Sequence, residues 1–348
     1  MRVLILYTEL AGYLLACVKH YLFAHKNAKI LLIHYPINSE APFLFNSINN
    51  LETIVFNGLN KTDINTKIGE FKPQIILCSG WGDKYYLSVI KKYFNLAETV
   101  VCFDNQWFGN LKQRLLKTLA PFWLKKLFKK VWVPGEPQKE YALHLGFEVN
   151  QIFTGFYVAD NNIFEAIGKN KLANKTIYPK VMLSVARYIE QKDLPTLWKA
   201  FICANSNAGN NWQLHSLGLG KLFKQRLENP YIQHLGFKQP NEMEAIMTIS
   251  GIYILPSLYE PWGVAVHECA LAALPLVLSD KIGAGTLFLV DNNGFKFKAG
   301  DALHLQSVLE KIMNMTDDEL WTMAEASFNE GRKLNLQDWA NNLNNMAK

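Results

Sequence analysis

The sequence predicts an α/β fold built from two doubly wound, mostly parallel sheets in tandem. Three observations lead there. A chain of 348 residues suits about two domains. Apolar strand-like runs alternate with stretches of helical periodicity through both halves, as in parallel sheets covered on each face. Hydrophobic residues make up 49% and charged residues 19%, enough to build a sizeable core and to exclude wholesale disorder.

In the first half the strand-like runs are Val3–Tyr7, Lys29–His34, Thr53–Phe56, Gln74–Cys78, Thr99–Phe103 and Lys130–Val133, with a last strand end at Ile152–Phe153. Val3–Tyr7 reads as a strand rather than the core of a leader, because Glu9 interrupts the apolar run. A loop with Gly12 then leads into a helix over Tyr13–His25. Residues 161–178 are polar and strand-poor and read as a linker. The pattern restarts with Val181–Ala186, a helix over Leu194–Asn205, Trp212–Gly218, a helix over Lys221–Leu227, and Ile232–Leu235. A helix over Asn241–Ile249, Gly251–Pro256, a helix over Val264–Leu274, Pro275–Ser279 and Gly294–Phe297 complete it. The expected domains are 1–160 and 177–330, with residues 331–348 as a terminal helix. Two such sheets facing each other would hold ligands in a cleft at the carboxyl ends of their strands.

Charge and cysteines narrow the classes. Residues 1–160 carry 18 Lys/Arg against 12 Asp/Glu, and residues 161–348 carry 18 against 18, so the whole net charge of +6 lies in the first half. That half is expected to face something anionic. The five cysteines are scattered without a C-x-x-C pair, which argues for reduced thiols in a cytosol and against a disulfide scaffold or zinc ribbon. No uncharged apolar run approaches the ~20 residues of a membrane span. The His residues show no metal-ligand spacing, and neither D-x-D nor a phosphate-binding G-x4-G-K-[ST] sequence occurs. A metal site, a kinase and an ATPase are therefore not expected.

The segment Leu255–Ser279 is the most informative. It reads strand, tight loop, helix, strand. Glu260 lies in the loop, Gly263 permits a ligand's close approach, and the helix beyond opens with unpaired N–H groups that suit an anion. Glu268 lies about one turn into that helix. Two carboxylates flanking an anion site suit a polyol attached to phosphate. Glu140 and Glu148 repeat the same spacing elsewhere, so specificity comes from context: the P-S-x-x-E-x-x-G lead-in, the small-residue helix and the P-L-V-L-S strand behind it.

This segment resembles the E-x7-E motif of retaining glycosyltransferases of family 4, which have the GT-B fold: two Rossmann-like domains facing across a cleft, with a C-terminal helix crossing back to the first. The resemblance extends over most of the second half. Ser184–Arg187 and Gln191–Leu194 are similar to the family element whose Arg and Lys bind the donor diphosphate, here Arg187 and Lys192; Ala186 and Asp193 depart from its usual glycines. Leu217–Gly220 is similar to its G-x-G turn, with Gly218, and Leu235–Lys238 to the strand end that receives the base, with Phe237 and Lys238. Ile282–Thr286 is similar to a glycine loop near the donor, where Gly283 and Gly285 would expose amides. Leu336–Trp339 resembles the terminal helix, with Trp339 as an anchor.

The resemblance implies a metal-independent hexosyltransferase acting on a nucleotide sugar such as a UDP- or GDP-sugar, with no further cofactor. The leaving phosphate would take the acceptor proton. Glu260 would hold the donor sugar hydroxyls, helped by Pro261, Trp262, Gly263 and Val264. Glu268 would take the ribose, and Arg187 and Lys192 the diphosphate. The first half would bind a glycan or lipid-linked acceptor in polysaccharide, lipopolysaccharide or glycolipid synthesis. Candidates there are Gly12, Trp81, Asp83 and Asn105 in strand-end loops, and Asp104 as catalytic partner where the family often has His. A GT-B sugar-nucleotide epimerase and a nonenzymatic nucleotide-sugar-binding protein are the competing readings.

Residues 112–130 hold seven cations and no acid, interleaved with Leu, Phe and Trp. This is the composition of an interfacial helix pair on an anionic membrane. The expectation is a cytoplasmic protein, peripheral on the cytoplasmic face of the inner membrane, with Trp123 and Phe122 or Phe128 inserted. No nucleic-acid motif accompanies the patch.

Overall fold

The computed structural model describes residues 1–44, 46–209 and 212–348. The chain divides into two compact units: Met1–Asn38, Phe43–Val158 and Asn335–Lys348 form the first, and Ser39–Pro42 with Ala159–Leu334 the second.

Unit 1 begins with β1 (Arg2–Tyr7), α1 (Gly12–Ala24), β2 (Lys29–His34), β3 (Leu51–Val55), α2 (Lys61–Phe71), β4 (Ile75–Ser79) and α3 (Lys84–Tyr93). It continues through β5 (Glu98–Cys102), α4 (Leu111–Trp123), β6 (Lys130–Trp132), α5 (Glu136–His144) and β7 (Ile152–Phe153). Its sheet is parallel in the order β3-β2-β1-β4-β5-β6-β7. β1 and β2 are buried along almost their whole length because helices cover both faces, so they read as unbroken apolar runs; β3, at the edge, is largely exposed.

Unit 2 contains α6 (Asn161–Ala173), β8 (Val181–Val185), α7 (Leu194–Asn207), β9 (Gln213–Leu217), β10 (Ile232–Gly236), α8 (Met243–Ile249) and β11 (Ile252–Leu255). Then come α9 (Val264–Leu271), β12 (Leu276–Ser279), α10 (Gly285–Phe288), β13 (Gly294–Phe297), α11 (Ala302–Met313) and α12 (Asp317–Gly331). Its sheet is parallel in the order β10-β9-β8-β11-β12-β13. The last helix, α13 (Leu336–Met346), returns to unit 1. Trp339, fully buried, packs its ring against Trp132 at 4.9 Å and Tyr21 at 6.4 Å, as an anchor should.

Two expectations are corrected. Residues 161–178 are not a linker, since most of the stretch is α6. Asp160 caps it by accepting from the Asn162 N–H at 3.1 Å. Its buried residues, Phe164, Ile167, Gly168 and Lys171, fall at helical spacing on one face, a narrow stripe that polar composition hides. The helix expected over Lys221–Leu227 is only a 3₁₀ turn at Phe223–Gln225. Gly220 before it, with φ +151°, and Pro230 after it leave too few residues for a cooperative helix.

Candidate active site

In both sheets the strand order reverses once, between β1 and β4 in unit 1 and between β8 and β11 in unit 2. At such a switch point neighbouring connections leave on opposite faces and open a crevice at the carboxyl ends of the strands.

In unit 2 the expected donor residues stand there. Arg187 and Lys192 follow β8, and Glu260 follows β11. Lys192 Nζ contacts Glu260 Oε2 directly, with side chains only 12% and 13% exposed. A pair this shielded keeps both side chains pre-positioned, but loss of either partner would strand the other. The Glu260 main chain is fixed as well. Its N–H donates to the Lys281 carbonyl at 3.0 Å, and its carbonyl accepts from the Gly283 N–H at 3.0 Å. The Gly285 N–H donates to Ile282 at 3.2 Å. The Gly283 amide is therefore committed to bracing the Glu260 loop, and the Gly285 amide to its own turn at Ile282, rather than offered to a ligand, which corrects that expectation.

Arg187 is turned toward Glu40, Nη1 to Oε2 at 3.8 Å, a partner that no local pattern announces. Gln239, beyond β10, donates to the Pro42 carbonyl at 2.9 Å, so the short segment Ser39–Pro42 lies along this end of unit 2. Arg187 and Lys192, expected to converge on one anion, thus each stand beside a different carboxylate. Asp193 takes the left-handed conformation, φ +47°, which explains the glycine usual in the resembled element. Gly218 has φ +127°, and a Cβ there would meet the Ala186 carbonyl oxygen at 2.0 Å, so only glycine lets these two strand-end turns touch. Lys238 pairs with Glu242 at 3.3 Å, and Phe237 beside it is partly buried.

Gly263, φ +97°, begins α9, followed by Val264; Pro261 is partly exposed in the loop before it. The Trp262 side chain is buried against Phe288, so only its main chain faces the loop, and its carbonyl accepts from the Ala284 N–H at 2.9 Å. Glu268, one turn further, keeps slight exposure. Burial, and secondarily the Asp160 carboxylate, push its pKa up to about 7. Its neighbour His267 is fully buried and pushed down to about 4, chiefly by burial. Its Nδ1 accepts from the Ala159 N–H at 3.1 Å and its Nε2 donates to the Gly331 carbonyl at 2.9 Å, so the ring is a neutral structural link.

In unit 1, Asp83 caps α3, accepting from the Tyr86 N–H at 2.7 Å and from the Tyr35 hydroxyl. Trp81 packs edge-on against Phe103 at 5.1 Å. Gly12 is the first residue of α1, and Asn105 is exposed in the loop after β5. Asp104 accepts from the Tyr157 hydroxyl at 3.4 Å. The Tyr157 ring meets Tyr13 at 5.2 Å, and Tyr13 bonds Tyr7 at 3.2 Å. These tyrosines were missed in the sequence: Tyr7 and Tyr13 are only six residues apart, but Tyr157 lies far along the chain and shares no spacing that could have linked it to them. Among the described residues, no group of three or more His, Cys, Asp or Glu is arranged to hold a metal ion.

Residues 168–327 match the family model of glycosyl transferases group 1. The same span holds every donor-side residue above. The chain has the GT-B glycosyltransferase fold. A glycosyltransferase from Rickettsia africae ESF-5 superposes with a TM-score of 0.74 at 14% identity, over 100% of this chain and 97% of that one. Anabaena HepE, in complex with UDP-glucose, gives 0.72 at 16% identity, over 99% of both chains. Sucrose-phosphate synthase from Thermosynechococcus elongatus gives 0.72 at 14% identity, over 99% and 98%. No curated protein matches in sequence.

Proposed function

We propose that the chain transfers a hexose from a nucleoside-diphosphate sugar to a hydroxyl of a glycan or lipid-linked acceptor, with retention, as a member of family 4. The observation that carries this reading is the shielded Lys192–Glu260 pair at the switch point of the unit that matches the glycosyl transferase model. A donor sugar and its diphosphate would part the pair. Glu260 would accept from sugar hydroxyls, and Lys192 and Arg187 would meet the leaving diphosphate, whose negative charge grows as the bond to the anomeric carbon breaks. Glu268 would accept from the ribose. The acceptor oxygen would bond to the anomeric carbon on the face the phosphate leaves, and the acceptor proton would pass to the departing phosphate oxygen. Two cations and the opening of α9 would then do the work that a divalent ion does elsewhere. The Anabaena neighbour's complex with UDP-glucose makes UDP-sugars the first donors to try.

Unit 1 would hold the acceptor, and α4 would bring it to a membrane. Leu111, Leu115, Leu119 and Phe122 form one face of that helix and are 79%, 66%, 60% and 72% exposed. Lys112, Arg114 and Lys117 flank them, all exposed. An apolar stripe edged by cations matches an anionic bilayer surface in both chemistry and shape. The inserted set differs from the sequence expectation. Phe128 is buried, Trp123 packs against the core, and Lys129 and Lys130 both pair with Glu98, at 3.1 and 3.4 Å. No helix among the described residues is long and apolar enough to cross a membrane. We place the protein in the cytoplasm, docked peripherally on the inner membrane through α4.

The deciding experiment is a thermal-shift screen with UDP, GDP, ADP and their sugars, followed by turnover assays with and without a lipid-linked acceptor. Stabilisation by one nucleotide and acceptor-dependent release of that nucleotide support transfer. Turnover that needs no acceptor and yields an isomerised donor refutes it.

A further inference from the structure

Unit 1 carries two adjoining hollows at the carboxyl end of its sheet, and they share the wall formed by Tyr35 and Asp83. The larger encloses about 560 Å³. Its floor is Phe56 stacked on Tyr85, ring centres 4.7 Å apart, and Tyr35 stands edge-on to Phe56 at 5.2 Å. Lys61 and Lys84 line its rim; both are exposed, and neither has an ion pair among the described residues. The smaller hollow, about 400 Å³, reaches Thr8 and Ser79, which are bonded to each other at the switch point between β1 and β4.

We propose that the larger hollow seats a sugar residue bearing a negative charge, a phosphate or carboxylate, as the acceptor of the transfer above; this rests on the glycosyl-transfer reading. Phe56 and Tyr85 are nearly buried, at 3% and 9% exposure, so the apolar surface offered to the C–H side of a pyranose ring is chiefly the partly exposed ring of Tyr35 that stands edge-on to Phe56. The only acid in its lining is Asp83, and both of its oxygens are occupied, by the Tyr86 N–H and the Tyr35 hydroxyl, at the positive end of α3. That carboxylate is therefore already hydrogen-bonded within the protein, and the two lysines outnumber it, so the lining is net positive. Thr8 and Ser79 next door would take hydroxyls of the same sugar or the next one.

The full-length protein is titrated with glucose 6-phosphate, methyl glucuronide, methyl glucoside and inorganic phosphate by ligand-observed NMR and calorimetry. The expected result is binding of both charged sugars at least tenfold tighter than methyl glucoside, weakened by salt. Inorganic phosphate alone should bind more weakly than either. Lys61→Gln with Lys84→Gln should cost the charged sugars about tenfold and leave methyl glucoside unchanged; both side chains are exposed, so folding is not at stake, and Lys84→Glu should go further in the same direction. Equal binding of charged and neutral sugars, indifference of the charged sugars to the lysine variants, or phosphate binding as tightly as the phosphosugar each overturns the proposal. Titration with UDP and GDP in parallel separates the two readings. A protein that binds nucleotide but shows no preference for charged sugars defeats this proposal alone, and a protein that binds no nucleotide defeats the reading on which it rests.

Discussion

Replacing Glu268 with Gln should stabilise the protein at neutral and alkaline pH and do almost nothing in acid. In the fold the carboxyl titrates near 7, against 4.5 for the ordinary group, because burial and the Asp160 carboxylate disfavour the charged form. The unfolded chain releases this proton as pH rises through 4.5 while the folded chain keeps it until about 7. Between those values the folded state binds more protons, so stability falls as pH rises, then levels off. Two and a half pH units correspond to about 3 kcal/mol, and the residual exposure of the side chain trims this to about 1–3 kcal/mol. Glutamine keeps the shape and removes the ionisation. The variant should equal the wild type near pH 4 and exceed it by that amount at pH 8, on the order of 2–12 °C in Tm for a domain of this size. His267 complicates the wild-type curve, because a pKa depressed to about 4 makes stability rise with pH across roughly the same window. The difference between the two proteins isolates Glu268, since His267 is common to both. Denaturant melts at pH 4, 5, 6, 7 and 8 measure it. A difference that stays flat from pH 5 to 8 would refute the reasoning, whatever its size.

Lys192→Ala and Arg187→Ala should each slow sugar transfer on the order of 10²–10³-fold by removing a charged contact to the leaving diphosphate, and wild-type turnover should survive EDTA; loss of activity on chelation with recovery on Mg²⁺ would show that a metal does this work instead. The wild type should co-sediment with vesicles containing anionic lipid at low salt and release as salt rises, each of Lys112, Arg114 and Lys117 contributing about 1 kcal/mol near the surface. Leu115→Ser with Leu119→Ser should abolish that binding, whereas Lys129→Gln should not change it, because Lys129 is already paired with Glu98; protein that stays in the supernatant under all conditions removes α4 as a membrane contact.

Much of the architecture was readable from the amino-acid order. The strands of both sheets announced themselves because buried parallel strands must be apolar on both faces, and that pattern is local. Glu260, Gly263 and Glu268 were readable for a related reason: a strand, a tight turn and a helix opening succeed one another within a dozen residues. Helix α6 was hidden because only one narrow face of it is apolar. What the tertiary structure alone decided is pairing across long sequence separations. Lys192 meets Glu260 because the order of strands sets β8 beside β11, and Glu40 reaches Arg187 from the distant segment Ser39–Pro42; nothing in the local sequences encodes either pairing. The same holds for the Gly283 amide, which looked available until the Glu260 carbonyl claimed it, and for Lys129 and Lys130, which Glu98 holds, while the cations of α4 remain exposed. Composition supplies the charges, and only packing determines which of them are already spent within the protein.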